Sequence, residues 1–249
     1  MPKTRRLDQL IVDRGLVDSR EQGRRLIMAG KVRVPNRPGI KPGDQVALDA
    51  EVEVLQPPKY VGRGGLKLEG ALEAFAIEVA GWTCLDAGAS TGGFTDCLLQ
   101  RGAAKIFAID VGHDQLAWKI RSDPRVEVWE GFNLRYLQPA ALGATRIDLC
   151  VIDVSFISLT LLLQPLAGVL KAGGMVVALI KPQFELDPEA VGKGGIVRDP
   201  ALRLQAVEKI KTFVARPDST LVWQDCVPSP ITGTNGNQEY LAWMTHPSA

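Results

Sequence analysis

At 249 residues the chain has room for one α/β domain and a small additional module. Its composition, 46% hydrophobic and 23% charged, is that of an ordinary globular protein. No apolar run approaches the ~18 to 20 residues that span a bilayer, and Met1-Pro2-Lys3-Thr4-Arg5-Arg6-Leu7 lacks the apolar stretch of a signal peptide. A cytoplasmic protein without a membrane partner is therefore expected. None of the four cysteines forms a Cys-x-x-Cys pair, which predicts free thiols. Two histidines, His113 and His246, leave no His-based metal site and no Ser-His-Asp triad, and no metal is expected. The formal charge of +1 hides an asymmetry: residues 1–37 hold ten Lys and Arg against four acids, a net +6, so the remainder carries −5. A basic head on a mildly acidic body is the footprint of a nucleic-acid-binding module joined to something else.

In chain order, Leu7, Leu10 and Ile11 fall at helical spacing within residues 5–15, and Gly15 stops the run. Ser19 followed by Gln22 is a capping-box pattern, opening a second helix through Leu26, Ile27 and Met28 to a terminating Gly30. Arg20, Arg24 and Arg25 lie beside its apolar stripe. Lys31-Val32-Arg33-Val34 alternates as a strand, residues 35–44 are rich in turn formers, and residues 45–48 and 52–54 read as more strand. Two short helices followed by small strands, with Arg6-Leu7-Asp8, Ser19-Arg20 and Ala29-Gly30-Lys31-Val32 in that order, resemble the S4 RNA-binding domain over residues 5–55. That resemblance implies RNA contacts through Arg5, Arg6, Arg20, Arg24 and Lys31.

Pro57-Pro58 marks a joint, giving an S4-like domain at 1–56, a linker at 57–63 and a larger domain at 64–249. Arg63 in the linker is counted with the RNA-facing arginines. A helix through Leu72 and Phe75 leads to a central strand. The body then alternates strand and helix: strands at 106–110, 126–129, 147–153 and 175–181, helices at 115–121 and 159–170. Residues 185–200 read as an irregular insertion. A helix at 201–215 and strands at 220–227 and 239–245 close the pattern, the rhythm of a doubly wound α/β sheet.

The central strand runs into Cys84-Leu85-Asp86-Ala87-Gly88-Ala89-Ser90-Thr91-Gly92-Gly93-Phe94-Thr95, read as strand, glycine loop and helix. Such a junction exposes backbone N–H groups to a ligand. The spacing is wrong for Gly-x-Gly-x-x-Gly, and no Gly-Lys-Ser/Thr of a Walker loop follows. What remains is a loop with an acid at its entrance, Asp86, suited to facing an ammonium or sulfonium. A second acid, Asp110, ends the next strand, where a carboxylate can accept two hydrogen bonds from a ribose diol. Together they point to S-adenosylmethionine. Gly88, Ser90, Thr91, Gly92 and Phe94 would line its methionine and ribose part, and the loop Trp129-Glu130-Gly131-Phe132-Asn133 the adenine, although Trp129 and Phe132 also suit the core.

Strand carboxyl ends in an open α/β sheet carry the chemistry. They supply Asp153 and Lys181, and flanking segments add Lys67 and Glu239. A lysine acts as a base only if its pKa falls from ~10.4 toward ~7 to 8, which burial and a second cation can bring about. Lys67 is placed to be that cation, with Asp153 and Glu239 limiting the charge excess. Such a group suits a weakly acidic hydroxyl attacking a sulfonium methyl. Asp153-Val154-Ser155-Phe156 also lacks the prolines of amine N-methylation motifs.

The S4 head together with Gly62-Arg63-Gly64-Gly65-Leu66-Lys67, the glycine loop, Asp110-Val111-Gly112, Asp153-Val154-Ser155-Phe156-Ile157-Ser158, Lys181-Pro182-Gln183-Phe184-Glu185 and Gly236-Asn237-Gln238-Glu239-Tyr240 resembles the TlyA, or haemolysin-A-like, family over nearly the whole chain. That family is similar to the FtsJ-type ribose 2′-O-methyltransferases. The resemblance implies a Rossmann-like class I fold with a mostly parallel seven-stranded sheet, behind an N-terminal α+β S4 domain. It also implies S-adenosylmethionine as cofactor, cytidine 2′-hydroxyls of ribosomal RNA or ribosomal subunits as target, and no stable protein partner. The family's Lys-Asp-Lys-Glu tetrad falls on Lys67, Asp153, Lys181 and Glu239, with Lys181 as the base or hydroxyl-orienting residue and Asp153 also beside the cofactor. The chain departs from the family at Pro58-Lys59-Tyr60-Val61, where Arg-x-Trp-Val can stand. Two other readings compete: a non-catalytic ribosome-assembly factor, against which the intact tetrad speaks, and a membrane-active haemolysin, for which the sequence offers no spanning or long amphipathic segment.

Overall fold

The computed structural model describes residues 3–55 and 58–248 and divides into two compact units, Met1–Pro58 and Lys59–Ala249. Pro57 of the expected joint lies outside the described residues, as does the 56/57 boundary.

The first unit runs β1 (Thr4–Arg6), α1 (Leu7–Asp13), α2 (Arg20–Met28), β2 (Val32–Arg33), β3 (Gln45–Ala47) and β4 (Glu53–Val54). Strand β1 stands where the sequence pattern begins a helix. Thr4-Arg5-Arg6 has no strong preference of its own, and antiparallel pairing with β3, Arg5 opposite Val46, draws it into extended form. β2 pairs antiparallel with β4. The Ser19 cap forms as expected: its hydroxyl accepts from the Gln22 N–H at 3.2 Å, and Gln22 Oε1 reaches back to the Asp18 N–H at 2.9 Å. Leu7, Leu10, Ile11, Val17, Ile27, Val32, Val34 and Val46 form this unit's own core.

The second unit contains α3 (Gly64–Ala74), β5 (Thr83–Ala87), α4 (Gly93–Gln100), β6 (Lys105–Ile109), α5 (Trp118–Arg121), β7 (Val126–Trp129), β8 (Ile147–Ile152), α6 (Leu163–Ala167), β9 (Leu170–Ile180), α7 (Pro182–Glu185), α8 (Pro200–Val214), β10 (Val222–Pro228) and β11 (Tyr240–Thr245). Its seven-stranded sheet has the order β10-β11-β9-β8-β5-β6-β7. β7, β6, β5, β8 and β9 are parallel neighbours, and β11 is antiparallel to both β9 and β10. Successive strand residues feed opposite faces. Leu85 and Cys150 pack on one side with Leu163, Leu166, Ala206 and Ile210, while Cys84 and Leu149 pack on the other with Leu68, Leu72, Leu98 and Ile120. Helices thus cover both faces, and the strand order reverses beside β5, where β6 leaves on one side and β8 enters on the other. Cys84, Cys97 and Cys150 are buried free thiols, and Cys226 is half-buried.

Two expected elements differ. The helix expected over 159–170 is a 3₁₀ turn at Leu159–Leu161 followed by the short α6, and the strand expected to begin at Met175 begins at Leu170. Between them the β8–β9 register jumps from Ile147 opposite Leu170 to Leu149 opposite Met175. Lys171-Ala172-Gly173-Gly174 is a bulge, and in sequence it is indistinguishable from a turn.

Candidate active site

Two cavities open side by side along the carboxyl ends of β5, β6, β8 and β9, and both are bounded by Gly88, Ser90, Asp153, Ser155 and Phe156. One, of about 490 Å³, adds Lys67, Thr91, Phe94, Lys181 and Glu239 among its walls. The other, of about 400 Å³, adds Asp110, Gly112, Gln115, Asn133 and Leu134. The switch point of an open α/β sheet is where a crevice forms, because adjoining connections leave toward opposite faces.

Gly88 has φ +89°, and a Cβ there would lie 2.6 Å from the Asp153 carbonyl oxygen. Only glycine lets the loop after β5 pass so close to the end of β8. Ser90 takes the left-handed region without being glycine, φ +47°, and its N–H donates to Asp110 Oδ2 at 2.8 Å. The Gly112 N–H donates to Asp110 Oδ1 at 2.7 Å. Asp110 is thereby fixed at the mouth of the second cavity, and an ionised carboxylate retains lone pairs for further donors. Asn133 also borders that cavity, its side-chain oxygen accepting the Arg135 N–H at 3.1 Å.

The tetrad residues converge on the first cavity as two ion pairs. Lys67, on α3, meets Glu239 Oε2 at 2.5 Å, with both side chains nearly buried. Lys181, just past β9, meets Asp153 Oδ1 at 2.7 Å and donates to Ser155 Oγ at 2.9 Å. A Cβ on Gly233 would fall 2.5 Å from Glu239 Oε1, so glycine there makes room for the carboxylate. The residues come from separated parts of the chain, and 172 positions divide Lys67 from Glu239. Asn237, 2% exposed, ties the preceding loop down: it accepts from the Val197 N–H at 2.8 Å and donates to the Gly195 carbonyl at 2.7 Å.

Asp86 sits elsewhere than the sequence reading put it. It is inside β5, fully buried, and lines neither cavity. Its Oδ2 accepts from Thr95 Oγ1 at 2.6 Å, while Oδ1 has no hydrogen-bond partner. Burial pushes its carboxyl up to about 7, against the opposing Thr95 hydrogen bond. A strand-end acid faces solvent only if its Cβ points outward, and β5 runs two residues past Leu85, where the apolar run closes, to Ala87. Gly92 likewise turns away: a Cβ there would meet Leu116 and Ile120, so its service is to the turn into α4. Trp129 and Phe132, both half-buried, pack against the core edge to face, ring centroids 5.4 Å apart.

The residue that sequence reasoning passed over is Phe156. It is 91% exposed, has φ +66°, borders both cavities and pairs with Phe184 at 5.1 Å between ring centroids. Nothing in Asp153-Val154-Ser155-Phe156 distinguishes an outward phenylalanine from a core one. Arg63 is exposed, borders the first cavity and donates to the Thr232 carbonyl at 3.1 Å. The divergent linker is anchored in this unit: Tyr60 is buried beneath Gly65, the Val61 N–H donates to Asp96 Oδ2 at 2.9 Å, and Gln100 donates to the Lys59 carbonyl at 2.9 Å.

In the second unit's own order the sheet reads 3-2-1-4-5-7-6 with the last strand antiparallel, and with a crevice at its switch point this defines a Rossmann-like methyltransferase. The chain belongs to the TlyA family of FtsJ-like methyltransferases: residues 60–246 match the FtsJ-like methyltransferase model and residues 5–52 the S4 domain model. It is 48% identical over 248 residues to the 16S/23S rRNA (cytidine-2′-O)-methyltransferase TlyA of Mycobacterium tuberculosis, covering 98% of this chain and 91% of that one. It is 46% identical over 246 residues to the putative rRNA methyltransferase YqxC of Bacillus subtilis, covering 98% and 87%. Among solved structures, a putative hemolysin from Streptococcus thermophilus superposes with a TM-score of 0.74 at 42% identity, covering 100% of this chain and 90% of that one. Among the described residues no helix is long and apolar enough to cross a membrane.

Proposed function

We propose that this methyltransferase uses S-adenosylmethionine to methylate the 2′-hydroxyl of cytidine in ribosomal RNA. The observation that carries the reading is the convergence of two Lys–carboxylate pairs, Lys67–Glu239 and Lys181–Asp153, on one cavity that adjoins a second cavity edged by Asp110. The name of the Mycobacterium tuberculosis relative supplies the cytidine and the ribosomal RNA.

The second cavity suits the cofactor. Asp110 is oriented by two backbone N–H groups to accept a ribose diol, Asn133 borders the same space, and Gly88, which borders both cavities, lets the loop after β5 lie against the end of β8. Ser90, Thr91 and Phe94 would border the cofactor on the side of the first cavity. When bound, the cofactor supplies a sulfonium methyl group, which leaves as the carbon–sulfur bond breaks and a thioether remains.

In the first cavity, Lys181 has three N–H donors; Ser155 accepts one, the Asp153 carboxylate stands 2.7 Å away as its ion-pair partner, and a donor remains for a ribose 2′-oxygen. The ammonium fixes the direction of the attacking lone pair, which is worth most inside a water-poor site. The hydroxyl proton passes to the Asp153–Lys181 pair, whose ionised form keeps the carboxylate as a vacant basic site. Lys67 and Glu239 neutralise each other as Lys181 and Asp153 do, which leaves Arg63 at the rim as the cavity's net positive charge. Arg63, at the rim, meets the RNA backbone, while Arg5, Arg6, Arg20, Arg24 and Lys31 of the first unit supply the rest of its phosphate contacts. Incubation of the protein with labelled S-adenosylmethionine and unmodified 30S subunits, 50S subunits and free ribosomal RNA is expected to yield 2′-O-methylcytidine. Label in no RNA, from protein that binds cofactor, would overturn the reading.

A further inference from the structure

Asp8 is a carboxylate with no exposed surface in the most basic part of the chain. Both of its oxygens are committed to arginines. Arg6 donates from Nε to Oδ1 at 3.1 Å and from Nη2 to Oδ2 at 3.1 Å, a bidentate fork, and Arg20 donates from Nε to Oδ2 at 3.0 Å. Burial by itself would raise the carboxyl, but the hydrogen bonds from Arg6 and Arg20 hold it below the ordinary carboxylate range. Its backbone is held as well, since the Asp8 N–H donates to the Pro42 carbonyl at 3.0 Å. Gly43 lies against the Arg6 guanidinium, where a Cβ would come within 3.4 Å of Nη1.

The arginines are buried only on the side facing Asp8: the side chains of Arg6 and Arg20 remain 43% and 53% exposed. A guanidinium has five N–H donors, of which Arg6 gives two to Asp8 and Arg20 gives one. Arg20 lines a shallow surface hollow together with Glu21 and with Arg24, one turn further along α2. An isolated ion pair at a surface is worth little, yet one buried acid orienting two half-exposed guanidinium groups leaves them with fewer rotamers to lose when a partner binds.

We propose that Asp8 is a positioning residue for RNA: it holds Arg6 and Arg20 as a fixed pair of guanidinium groups whose outward N–H donors receive backbone phosphates. This rests on the reading of the first unit as RNA-binding and goes beyond it, because charge counting alone gives the opposite sign. Removing an acid from a phosphate-binding face raises its positive potential and should tighten binding; removing a positioning residue loosens it.

The test uses the full chain and unmodified 16S and 23S ribosomal RNA, with dissociation constants measured across a salt series and folding checked by circular dichroism. Asp8→Asn is expected to bind about tenfold more weakly, the scale of one charge-assisted hydrogen bond, with a salt slope shallower by about one phosphate contact. Arg20→Ala in the Asp8→Asn background should cost much less than in the native background. Folded Asp8→Asn that binds RNA as tightly as the native chain, or more tightly, overturns the proposal. Should Asp8→Asn not fold, Arg20→Lys carries the test: it keeps the charge and loses the Nε geometry, so weakened binding supports the proposal and native binding overturns it. If Arg6→Ala and Arg20→Ala both bind normally, the RNA-binding reading of the unit itself fails; if they weaken binding while Asp8→Asn does not, only the role of Asp8 fails.

Discussion

At the scale of single residues, Asp86 and the tetrad show opposite ways of burying charge. Lys67, Glu239, Asp153 and Lys181 are paired, whereas Asp86 has a threonine hydroxyl on one oxygen and nothing on the other. Burial raises its carboxyl from the ordinary carboxylate value of 3.8 to about 7. Between those two values the unfolded chain has released this proton and the folded one has kept it, so the linkage makes stability fall as pH rises through that window. Below it the group makes no difference, and above it the full cost is paid. Asp86→Asn, without cofactor, is therefore expected to flatten the loss of stability between about pH 4 and 7 by a few kcal/mol; denaturant melts at pH 4.5 and 7.5 would read it. An unchanged pH profile would mean that the carboxylate is relieved by some other group.

The same scale shows what single residues reveal in sequence. Asp110, Asp153 and Lys181 follow apolar runs directly, so the rule that strand ends carry chemistry finds them. Asp86 follows an apolar run equally well, and its inward direction depends on β5 continuing to Ala87. Phe156 is legible only once its positive φ and outward ring are seen.

At the scale of elements, the body strands are legible because each is a run of apolar residues bounded by turn formers, as a sheet covered on both faces requires. Elements set by long-range partners are less so. Strand β1 exists because β3 offers it an edge, and the first five residues of β9 are hidden behind a bulge. The loop before β11 is another such case. Asn237 looks like any turn asparagine, yet it bonds to Gly195 and Val197 and so fixes the approach to Glu239. Asn237→Ala removes one buried and one partly buried hydrogen bond and is expected to destabilise the second unit by roughly 2 to 4 kcal/mol. Methyl transfer should fall at temperatures well below the melting point, because Glu239 is no longer held against Lys67. Thermal denaturation alongside an activity assay tests both, and an unchanged melting temperature would contradict the structural role.

At the scale of the whole molecule, the charge asymmetry assigns labour. The first 37 residues carry +6 and the remainder −5, which suits a head that gathers phosphates and a body that accepts a cationic methyl donor. Affinity for ribosomal RNA should fall steeply with salt, because each neutralised phosphate releases counterions. Charge-removing changes at Arg24 or Lys31 should weaken binding and reduce the slope by about one contact each. Filter binding between low and physiological salt is sufficient; a flat response would mean that the basic head does not meet RNA.

The central claim, that the four paired groups around the first cavity carry the methyl transfer, is met most directly by Lys181→Ala, measured for cofactor affinity by calorimetry and for methyl transfer to unmodified ribosomal subunits. The account predicts native-like cofactor binding, because Lys181 borders only the first cavity and Asp110 only the second, with methylation reduced by about 100-fold or more, the usual scale for losing an acid–base or orienting group. Methylation at the native rate from this variant would contradict it.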